Sequence, residues 1–308
     1  MSTFVFGHIN PDTDATCSAI AAAWYLNELG ITDAIPFCTG NLNKETQFVL
    51  DHFKVETPEL ITELSPGQPY FVVDTNNPEE LIPSFVQGEL TGIIDHHKFA
   101  GGLSTPGPIS VRIEPLACTA TVLTGMLRAA ELTPPREITG IMLACIISDT
   151  LNFVSPTSTE IDKRAAHYLA ELTGESIDEL ADAMFSAKSD LSGLTLTDLL
   201  TLDSKVYNLG KAKVRVSVLE TTKPSNVLDQ VSGVIEAMQA LSLTDGTEGC
   251  FFFVVDILKD CSTLITSTSF EQEVAAKAFS VEPTQTILLP GVVSRKKQMI
   301  PKLETALS

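Results

Sequence analysis

A short stretch near the amino terminus combines one imidazole with two carboxylates. The stretch Gly7 to Ala15, GHINPDTDA, follows the apolar run Thr3 to Phe6 and contains His8, Asp12 and Asp14. Either acid could cap a helix that begins within the stretch, because carboxylates stabilise a helix amino terminus. Imidazole nitrogens and carboxylate oxygens are also ligands for divalent transition metals. The stretch therefore fits a helix cap and half of a metal site.

Three further apolar runs are followed by residues of the same types: Asp74 after Tyr70 to Val73, Asp95, His96 and His97 after Gly92 to Ile94, and Asp149 after Ile138 to Ile147. Each has an ordinary explanation when it is taken alone. Asp74 could form an Asx turn, and the DHH triplet could be a solvated turn. Asp149 could lie in a helix carboxyl-terminal turn, although an acid there opposes the helix dipole.

The combination of these residues favours a metal site. In an open parallel sheet the carboxyl ends of the strands meet at one edge, where ligands bind. A sheet could therefore bring all of these acids and histidines to one rim. So many carboxylates would repel one another and take up protons unless cations kept them ionised. Two divalent ions that share a bridging carboxylate would meet this need, and such a pair suits phosphoryl transfer.

The elements that must position these residues alternate between strand-like and helical segments. This order predicts an α/β fold, with a mainly parallel amino-terminal sheet covered by helices. The polar stretch Lys188 to Gly193 resembles a linker, and a smaller α/β unit follows it. We predict a metal-binding domain at 1–188, a linker at 189–194 and a substrate-binding domain at 195–308.

The composition excludes several classes of protein. Hydrophobic residues make up 44% of the 308 residues, and the net charge is −19. The acidic balance argues against a nucleic-acid-binding face, which needs a basic stripe. No apolar run approaches the ~20 residues of a membrane span, and no signal sequence is recognised. The six cysteines form no CxxC pair and are expected to be buried thiols in a cytoplasmic protein.

Four motifs resemble those of the DHH phosphoesterase superfamily: GHINPDTDA, VVDTNN, IIDHHK and ISDT. This resemblance implies hydrolysis of phosphoesters or phosphoanhydrides. The segment Gly291 to Gln298, GVVSRKKQ, resembles the substrate-binding signature of family II (manganese-dependent) inorganic pyrophosphatases. The glycine-rich GGGH-type motif of the oligonucleotide-hydrolysing members has no counterpart here. The resemblance covers essentially the whole chain.

The resemblance implies a role for each candidate residue. The implied roles are these: His8 and Asp12 bind a first metal, Asp14, His96 and Asp149 bind a second, Asp74 bridges the two, His97 is a hydrogen-bond donor and candidate general acid, and Lys205, Arg295 and Lys296 hold the phosphates. It further implies two Mn²⁺ or Co²⁺ ions per subunit and Mg²⁺ that arrives with pyrophosphate. A homodimer and an active site in the cleft between the two domains are also implied.

The third motif departs from the family pattern. Members commonly have VDHNE where this chain has Val73, Asp74, Thr75, Asn76 and Asn77. Losing a histidine and a glutamate beside the bridging acid is expected to change metal affinity. Two alternatives remain within the superfamily, a Prune-like short-chain polyphosphatase and a nucleotide phosphodiesterase. A third is a non-catalytic phosphate-binding protein, which the complete set of metal residues disfavours.

Overall fold

The apolar runs of the first half form the strands of a parallel sheet. The computed structural model describes residues 1–308, which divide into two units, Met1–Lys188 and Ser189–Ser308. The strands of the first unit are β1 Thr3–Phe6, β2 Ala34–Cys38, β3 Glu59–Leu60, β4 Pro69–Val73, β5 Glu89–Asp95 and β6 Ser110–Ile113. All neighbouring pairs are parallel, in the order β3-β2-β1-β4-β5-β6. The predicted mainly parallel sheet is confirmed.

Helices connect and cover these strands. They are α1 Thr13–Glu28, α2 Lys44–Phe53, α3 Thr119–Ala129, α4 Arg136–Thr150, α5 Glu160–Thr173 and α6 Ile177–Lys188, with short 3₁₀ turns at Pro78–Glu80 and Pro83–Gln87. Helices α1 and α4 carry small or apolar residues almost all round and are buried along most of their length. A helix without a polar face belongs inside the fold, so these two helices form the interior of the first unit.

The second unit contains a smaller mixed sheet. Its elements are α7 Leu196–Thr201, β7 Asp203–Leu209, β8 Ala212–Thr221, α8 Ser225–Leu228, α9 Val231–Asp245, β9 Gly249–Asp256, β10 Cys261–Ile265, α10 Ser269–Phe279, β11 Thr286–Pro290, a π turn Arg295–Met299 and α11 Ile300–Leu307. The strand order is β11-β10-β9-β8-β7, with only β8 and β9 parallel. Every residue of the central strand β9 is buried, because hydrophobic clusters cover both faces. None of the helices of either unit is long and apolar enough to cross a membrane.

The structure differs from the sequence expectations at several element ends. The apolar pattern predicts a helix over residues 136–147, but α4 continues to Thr150, so Asp149 lies in its last turn, as the ordinary explanation of this residue allowed. Leu151 then ends the helix with a left-handed φ of 49°. The pattern from Ser225 to Leu241 predicts a single helix, but the structure has two, α8 and α9. Strand β7 was not predicted, because it is an edge strand with mostly exposed residues and no apolar run.

Gly140 in α4 provides a test of the packing between α2 and α4. A Cβ atom at Gly140 would overlap the ring of Phe53, which is only 2% exposed and cannot move aside. We expect Gly140→Ala to lower the free energy of unfolding by about 1–2 kcal/mol, because overpacking outweighs the gain in helix propensity.

Gly125 in α3 is the matched control, since it is exposed and a Cβ there meets no atom within 4 Å. Gly125→Ala should raise the free energy of unfolding by about 0.5–1 kcal/mol. Urea titrations of both variants measure the two values. Stabilisation by both substitutions would show that α2 and α4 are not tightly packed.

Candidate metal centre

The candidate ligands lie at the point where the order of the strands reverses. The chain runs outward from β1 to β3, then returns to β4 on the other side of β1. Such a switch point opens a crevice beyond the carboxyl ends of the strands. His8 follows β1, Asp74 follows β4, and His96 follows β5, so three adjacent strands deliver these residues to one edge of the sheet.

Helix ends deliver the remaining three acids. Asp12 is the N-cap of α1, where its Oδ1 accepts a hydrogen bond from the Ala15 amide at 2.9 Å. Asp14 lies in the first turn of α1, and Asp149 in the last turn of α4. The capping explanation of the opening stretch is therefore correct for Asp12, and the residue still has a second oxygen to offer.

The structure brings the predicted ligands together in overlapping groups. Their ligand atoms lie within 4.8 Å of one another in three sets: His8, Asp12 and Asp74; Asp14, His96 and Asp149; and Asp74, His96 and His97. Asp74 lies between the histidines, with Oδ2 3.4 Å from His8 Nε2 and Oδ1 3.2 Å from His96 Nε2. Its backbone φ is 58°, a left-handed conformation that Asp and Asn adopt more readily than most residues.

Backbone carbonyls orient the two candidate histidine ligands. His8 Nδ1 lies 3.0 Å from the Ile9 carbonyl, and His96 Nδ1 lies 3.0 Å from the Leu116 carbonyl. A carbonyl can only accept, so each Nδ1 carries a proton. The two Nε2 atoms, both of which face Asp74, are therefore the atoms that can coordinate a metal.

The amino terminus of α3 compensates the charge of Asp14. The two carboxylate oxygens of Asp14 accept hydrogen bonds from Ser18 Oγ at 2.6 Å and from the amides of Thr119 and Ala120 at 2.6 and 3.3 Å. Thr119 Oγ1 also donates to Asp74 Oδ1 at 3.0 Å. A helix amino terminus has free amide donors and a partial positive charge, so α3 stabilises the ionised acids. Sequence reasoning missed this, because no motif marks Thr119.

His97 is oriented differently from the other two histidines. Its Nδ1 lies 2.9 Å from Oδ1 of the buried Asp95, and Asn76 Nδ2 donates to the other Asp95 oxygen at 2.5 Å. The hydrogen bond to Asp95 raises the pKa of His97. Burial would raise the pKa of Asp95, but its contacts with His97 and Asn76 outweigh burial and lower it. The His97 side chain is 49% exposed, so its ring remains accessible to a bound molecule.

Charges within the group shift the pKa values of the histidines upward. Burial alone would lower the pKa of His8 and His96. The nearby carboxylates of Asp12 and Asp74 raise the pKa of His8 to about 11, and those of Asp74 and Asp14 raise the pKa of His96 to about 9. Asp74, although buried, has a pKa below its usual range because both imidazoles contact it.

Asp14 and the half-buried Asp149 show the opposite shift. Burial and the charge of Asp74 raise the pKa of Asp14 to about 6. Burial and the charge of Asp14 raise the pKa of Asp149 well above its ordinary value. Two imidazoles thus do not neutralise this set of carboxylates. Nitrogen and oxygen donors, close spacing and uncompensated negative charge together fit divalent metal ions.

A cavity of about 430 Å³ opens onto the group. Its lining includes Asp12, Asp74, His96, His97 and Asp149, together with Lys98 and Thr157, which the sequence motifs did not single out. Both additional residues are exposed and polar. The cavity therefore offers one cation and one hydroxyl beside the candidate ligands.

The predicted phosphate-binding cations all lie in the second unit. Lys205 is exposed on β7, and Arg295 and Lys296 begin the π turn Arg295–Met299. Asp203 lies two residues before Lys205, and its Oδ1 forms an ion pair with Arg295 Nη1 at 2.7 Å. The structure therefore brings β7 and the basic turn together.

Gln298 holds the basic turn. Its Oε1 accepts from the amides of Val293 and Ser294 at 2.9 and 2.8 Å, and its Nε2 donates to the Gly291 carbonyl at 2.6 Å. This amide side chain closes the GVVSRKKQ segment upon itself. Its role follows from the tertiary structure rather than from the motif.

The unusual third motif has its own hydrogen bonds. Thr75, where the family pattern has histidine, is buried and donates to Glu80 Oε2 at 2.6 Å. Asn77 is the N-cap of the 3₁₀ turn Pro78–Glu80. The Glu80 carbonyl accepts a hydrogen bond at 2.7 Å from the amide of Ile9, the residue that directly follows His8 in the chain. The motif thus supports the loop that follows β1, and its effect on metal affinity stays a prediction.

The fold and the paired ligand groups define a class of phosphoesterase. Residues 2–146 match the N-terminal domain of the DHH family, and residues 182–306 match the DHHA2 domain. The chain is 40% identical over 304 residues to the "probable manganese-dependent inorganic pyrophosphatase" of Bacillus cereus strain G9842, across 98% of this chain and 97% of that one. The protein of the same name from Bacillus pumilus strain SAFR-032 is 39% identical over 308 residues, or 99% of each chain.

Solved structures agree with these sequence relatives. A Methanococcus jannaschii chain described as a "putative family II inorganic pyrophosphatase" is 33% identical, with a TM-score of 0.63 and 99% of each chain covered. An exopolyphosphatase-related protein from Bacteroides fragilis, 16% identical with a TM-score of 0.50, shares the fold alone across 99% of this chain and 91% of that one. The chain belongs to the family of manganese-dependent, family II inorganic pyrophosphatases, which confirms the resemblance read from its motifs.

The raised histidine pKa values predict that Mn²⁺ binding releases protons. With pKa values of about 11 and 9, His8 and His96 are protonated at pH 7 in the metal-free protein. A metal ion binds only neutral imidazole, so Mn²⁺ affinity should increase as the pH rises from 7 to 9. Calorimetric titration with Mn²⁺ in Pipes and in Tris, which have different ionisation enthalpies, counts the protons released.

The variant His8→Gln should release about one proton fewer, because it removes one imidazolium that a metal must deprotonate. His52→Gln is the matched control, since His52 pairs with Glu175 outside the candidate centre. An observed binding enthalpy that does not depend on the buffer would contradict the prediction.

Proposed function

We propose that this protein hydrolyses inorganic pyrophosphate to two phosphates, with Mn²⁺ or Co²⁺ as its cofactor. The observation that carries the proposal is the pair of three-ligand groups around Asp74 and His96, in a chain that is about 40% identical to proteins named manganese-dependent inorganic pyrophosphatases. Histidine in both groups favours Mn²⁺ or Co²⁺ over Mg²⁺, which prefers oxygen ligands.

The spacing of the candidate ligands supports the two ligand sets that the family resemblance implies. His8, Asp12 and Asp74 would hold a first ion, while Asp14, His96 and Asp149 would hold a second, with Asp74 bridging the two. When bound, a metal pair of this kind lowers the pKa of a water molecule and offsets charge on phosphate oxygens. The carboxylate of Asp74 is buried and contacts His8, His96 and Thr119, so it would hold the two ligand sets in a fixed relation to each other.

His97 would provide the proton for the departing phosphate. Asp95 holds its Nδ1 and raises its pKa, so the imidazolium form is favoured. A protonated imidazole beside the site can donate to a leaving oxygen, which is general acid catalysis. Asn76 fixes Asp95 in turn, so the ring orientation depends on the DHH triplet and the third motif together.

The cations of the second unit would neutralise the phosphate oxygens. Arg295 can bind a phosphate as a fork, and Lys205 and Lys296 as point charges. Arg295 is ion-paired with Asp203, so pyrophosphate would compete with a carboxylate for its guanidinium. We further propose that Mg²⁺ arrives with the substrate and that the protein is a homodimer, as the family resemblance implies. A cytoplasmic location is proposed because no signal sequence is recognised.

Phosphate release from three substrates tests the proposal. The protein is stripped with a chelator, reloaded with Mn²⁺, Co²⁺ or Mg²⁺, and assayed on pyrophosphate, tripolyphosphate and a dinucleotide. We expect the highest kcat/KM on pyrophosphate, and higher activity with Mn²⁺ or Co²⁺ than with Mg²⁺ alone. Equal or faster cleavage of tripolyphosphate or the dinucleotide would favour the alternative superfamily activities instead.

Two substitutions separate the metal-binding residues from the substrate-binding residues. In Asp74→Asn the new residue can adopt the same left-handed backbone conformation, but the negative charge of the proposed bridging carboxylate is removed. It should weaken Mn²⁺ binding in both groups and lower kcat by at least about 100-fold. Lys296→Ala should leave Mn²⁺ binding intact and raise KM for pyrophosphate about 10- to 100-fold, the value of one charge-assisted hydrogen bond.

The neighbouring exposed lysine provides the control for the second substitution. Lys297→Ala removes an equal charge from the same turn and should change KM less than about 3-fold, because screened surface charges contribute little. Normal turnover by Asp74→Asn would refute the bridging role. If Lys297→Ala raised KM as much as Lys296→Ala does, the positive charge of the turn as a whole would matter rather than a specific contact between Lys296 and pyrophosphate.

A further inference from the structure

A single buried carboxylate joins four helices of the first unit. Glu45 lies in the first turn of α2 and is 1% exposed. Its Oε2 accepts hydrogen bonds from Thr13 Oγ1 at 3.2 Å, Ser148 Oγ at 2.9 Å and Lys188 Nζ at 3.1 Å. These donors belong to the start of α1, the end of α4 and the end of α6. One oxygen atom therefore fixes four helix ends relative to one another.

Two of the three donors are chain neighbours of candidate metal ligands. Thr13 lies between Asp12 and Asp14, and Ser148 directly precedes Asp149. Displacing either hydroxyl would move the backbone of the adjacent acid. Glu45 thus contacts no candidate ligand itself but determines where the ligands of two helices lie.

Asp14 and Asp149 lie on two different helices whose ends meet at Glu45. Ligand atoms of Asp14, His96 and Asp149 lie within 4.8 Å of one another. Thr13 and Ser148 donate to the same Glu45 oxygen, so their hydrogen bonds hold the start of α1 and the end of α4 together. The separation of the two acids depends on this shared acceptor.

We propose that Glu45 is a positioning residue for the metal centre, holding the end of α4 against the start of α1 so that Asp149 stays within ligand distance of Asp14. Lys188 brings the opposite charge to the buried carboxylate, which strengthens the hydrogen bonds at that oxygen. This inference rests on the proposed function, because it assumes that these acids bind metal. A purely structural role would affect stability and leave metal affinity unchanged.

Mn²⁺ binding to variants of this network tests the inference. Free Mn²⁺ is measured by electron paramagnetic resonance during titration of the whole protein, in parallel with thermal unfolding and pyrophosphatase kinetics. We expect Glu45→Ala to weaken binding of one Mn²⁺ about 10- to 100-fold, as removal of a ligand-orienting partner usually does. At saturating Mn²⁺, kcat should recover while KM for pyrophosphate stays at the wild-type value.

Three further variants make the outcome specific. Ser148→Ala removes one hydrogen-bond donor and leaves the charge of Glu45 in place. It should weaken binding of the same Mn²⁺ ion several-fold, and it provides the test if Glu45→Ala does not fold. Glu45→Gln keeps an acceptor for the hydroxyls and should retain more affinity than Glu45→Ala. Glu271→Gln is the matched control, a fully buried carboxylate of the second unit that also accepts several hydrogen bonds. It should lower stability and leave Mn²⁺ affinity unchanged.

The possible failures are distinguishable. Wild-type Mn²⁺ affinity in Ser148→Ala, or in a folded Glu45→Ala, would overturn the role of Glu45 while leaving the proposed function intact. A Glu271→Gln variant that weakens Mn²⁺ binding as much as Glu45→Ala would likewise overturn it. Wild-type protein that binds Mn²⁺ without hydrolysing pyrophosphate would refute the proposed function alone.

Discussion

The repulsion among closely packed carboxylates is the constraint on which the rest of this structure depends. Burial and the charge of neighbouring acids raise the pKa values of Asp14 and of the half-buried Asp149, beside the buried Asp74. Each surrounding feature reduces that cost. His8 and His96 contact Asp74, and the amino terminus of α3 donates to Asp14. What these groups leave uncompensated is negative charge, which divalent ions can neutralise.

The fold provides this concentration of charge through close packing of its buried elements. A Cβ atom at Gly7 would lie 2.7 Å from the Cβ of Ala15, so glycine lets the end of β1 lie directly against α1. His8 then follows β1 while Asp12 and Asp14 begin the helix, all within a few residues. The return of the chain from β3 to β4 places Asp74 next to them. A parallel sheet with a switch point is thus a direct means of gathering ligands from distant segments.

The basic residues are organised by different interactions. Arg295 pairs with Asp203, and Gln298 closes the turn that carries Arg295 and Lys296. In a chain with a net charge of −19, this turn therefore presents Arg295 and Lys296 in one short, hydrogen-bonded segment. The two units therefore contribute opposite chemistry: dense negative charge for metal ions in one, and ordered positive charge in the other.

Much of this protein was predictable from the sequence, because strands and ligands of this family are local features. Apolar runs predicted β1, β4 and β5, the alternation of strand-like and helical segments predicted the covered parallel sheet, and short motifs predicted which acids and histidines would meet. The sequence did not reveal β7, which has no apolar run of its own. It left open whether Asp149 lies within the last turn of a helix. It also gave no sign of Thr119 or Glu45, since their partners are distant in the chain. The motif included Gln298 but did not show that this side chain holds the basic turn. Hydrogen bonds between remote segments exist only after the helices pack, so only the tertiary structure decided how the predicted ligands are held.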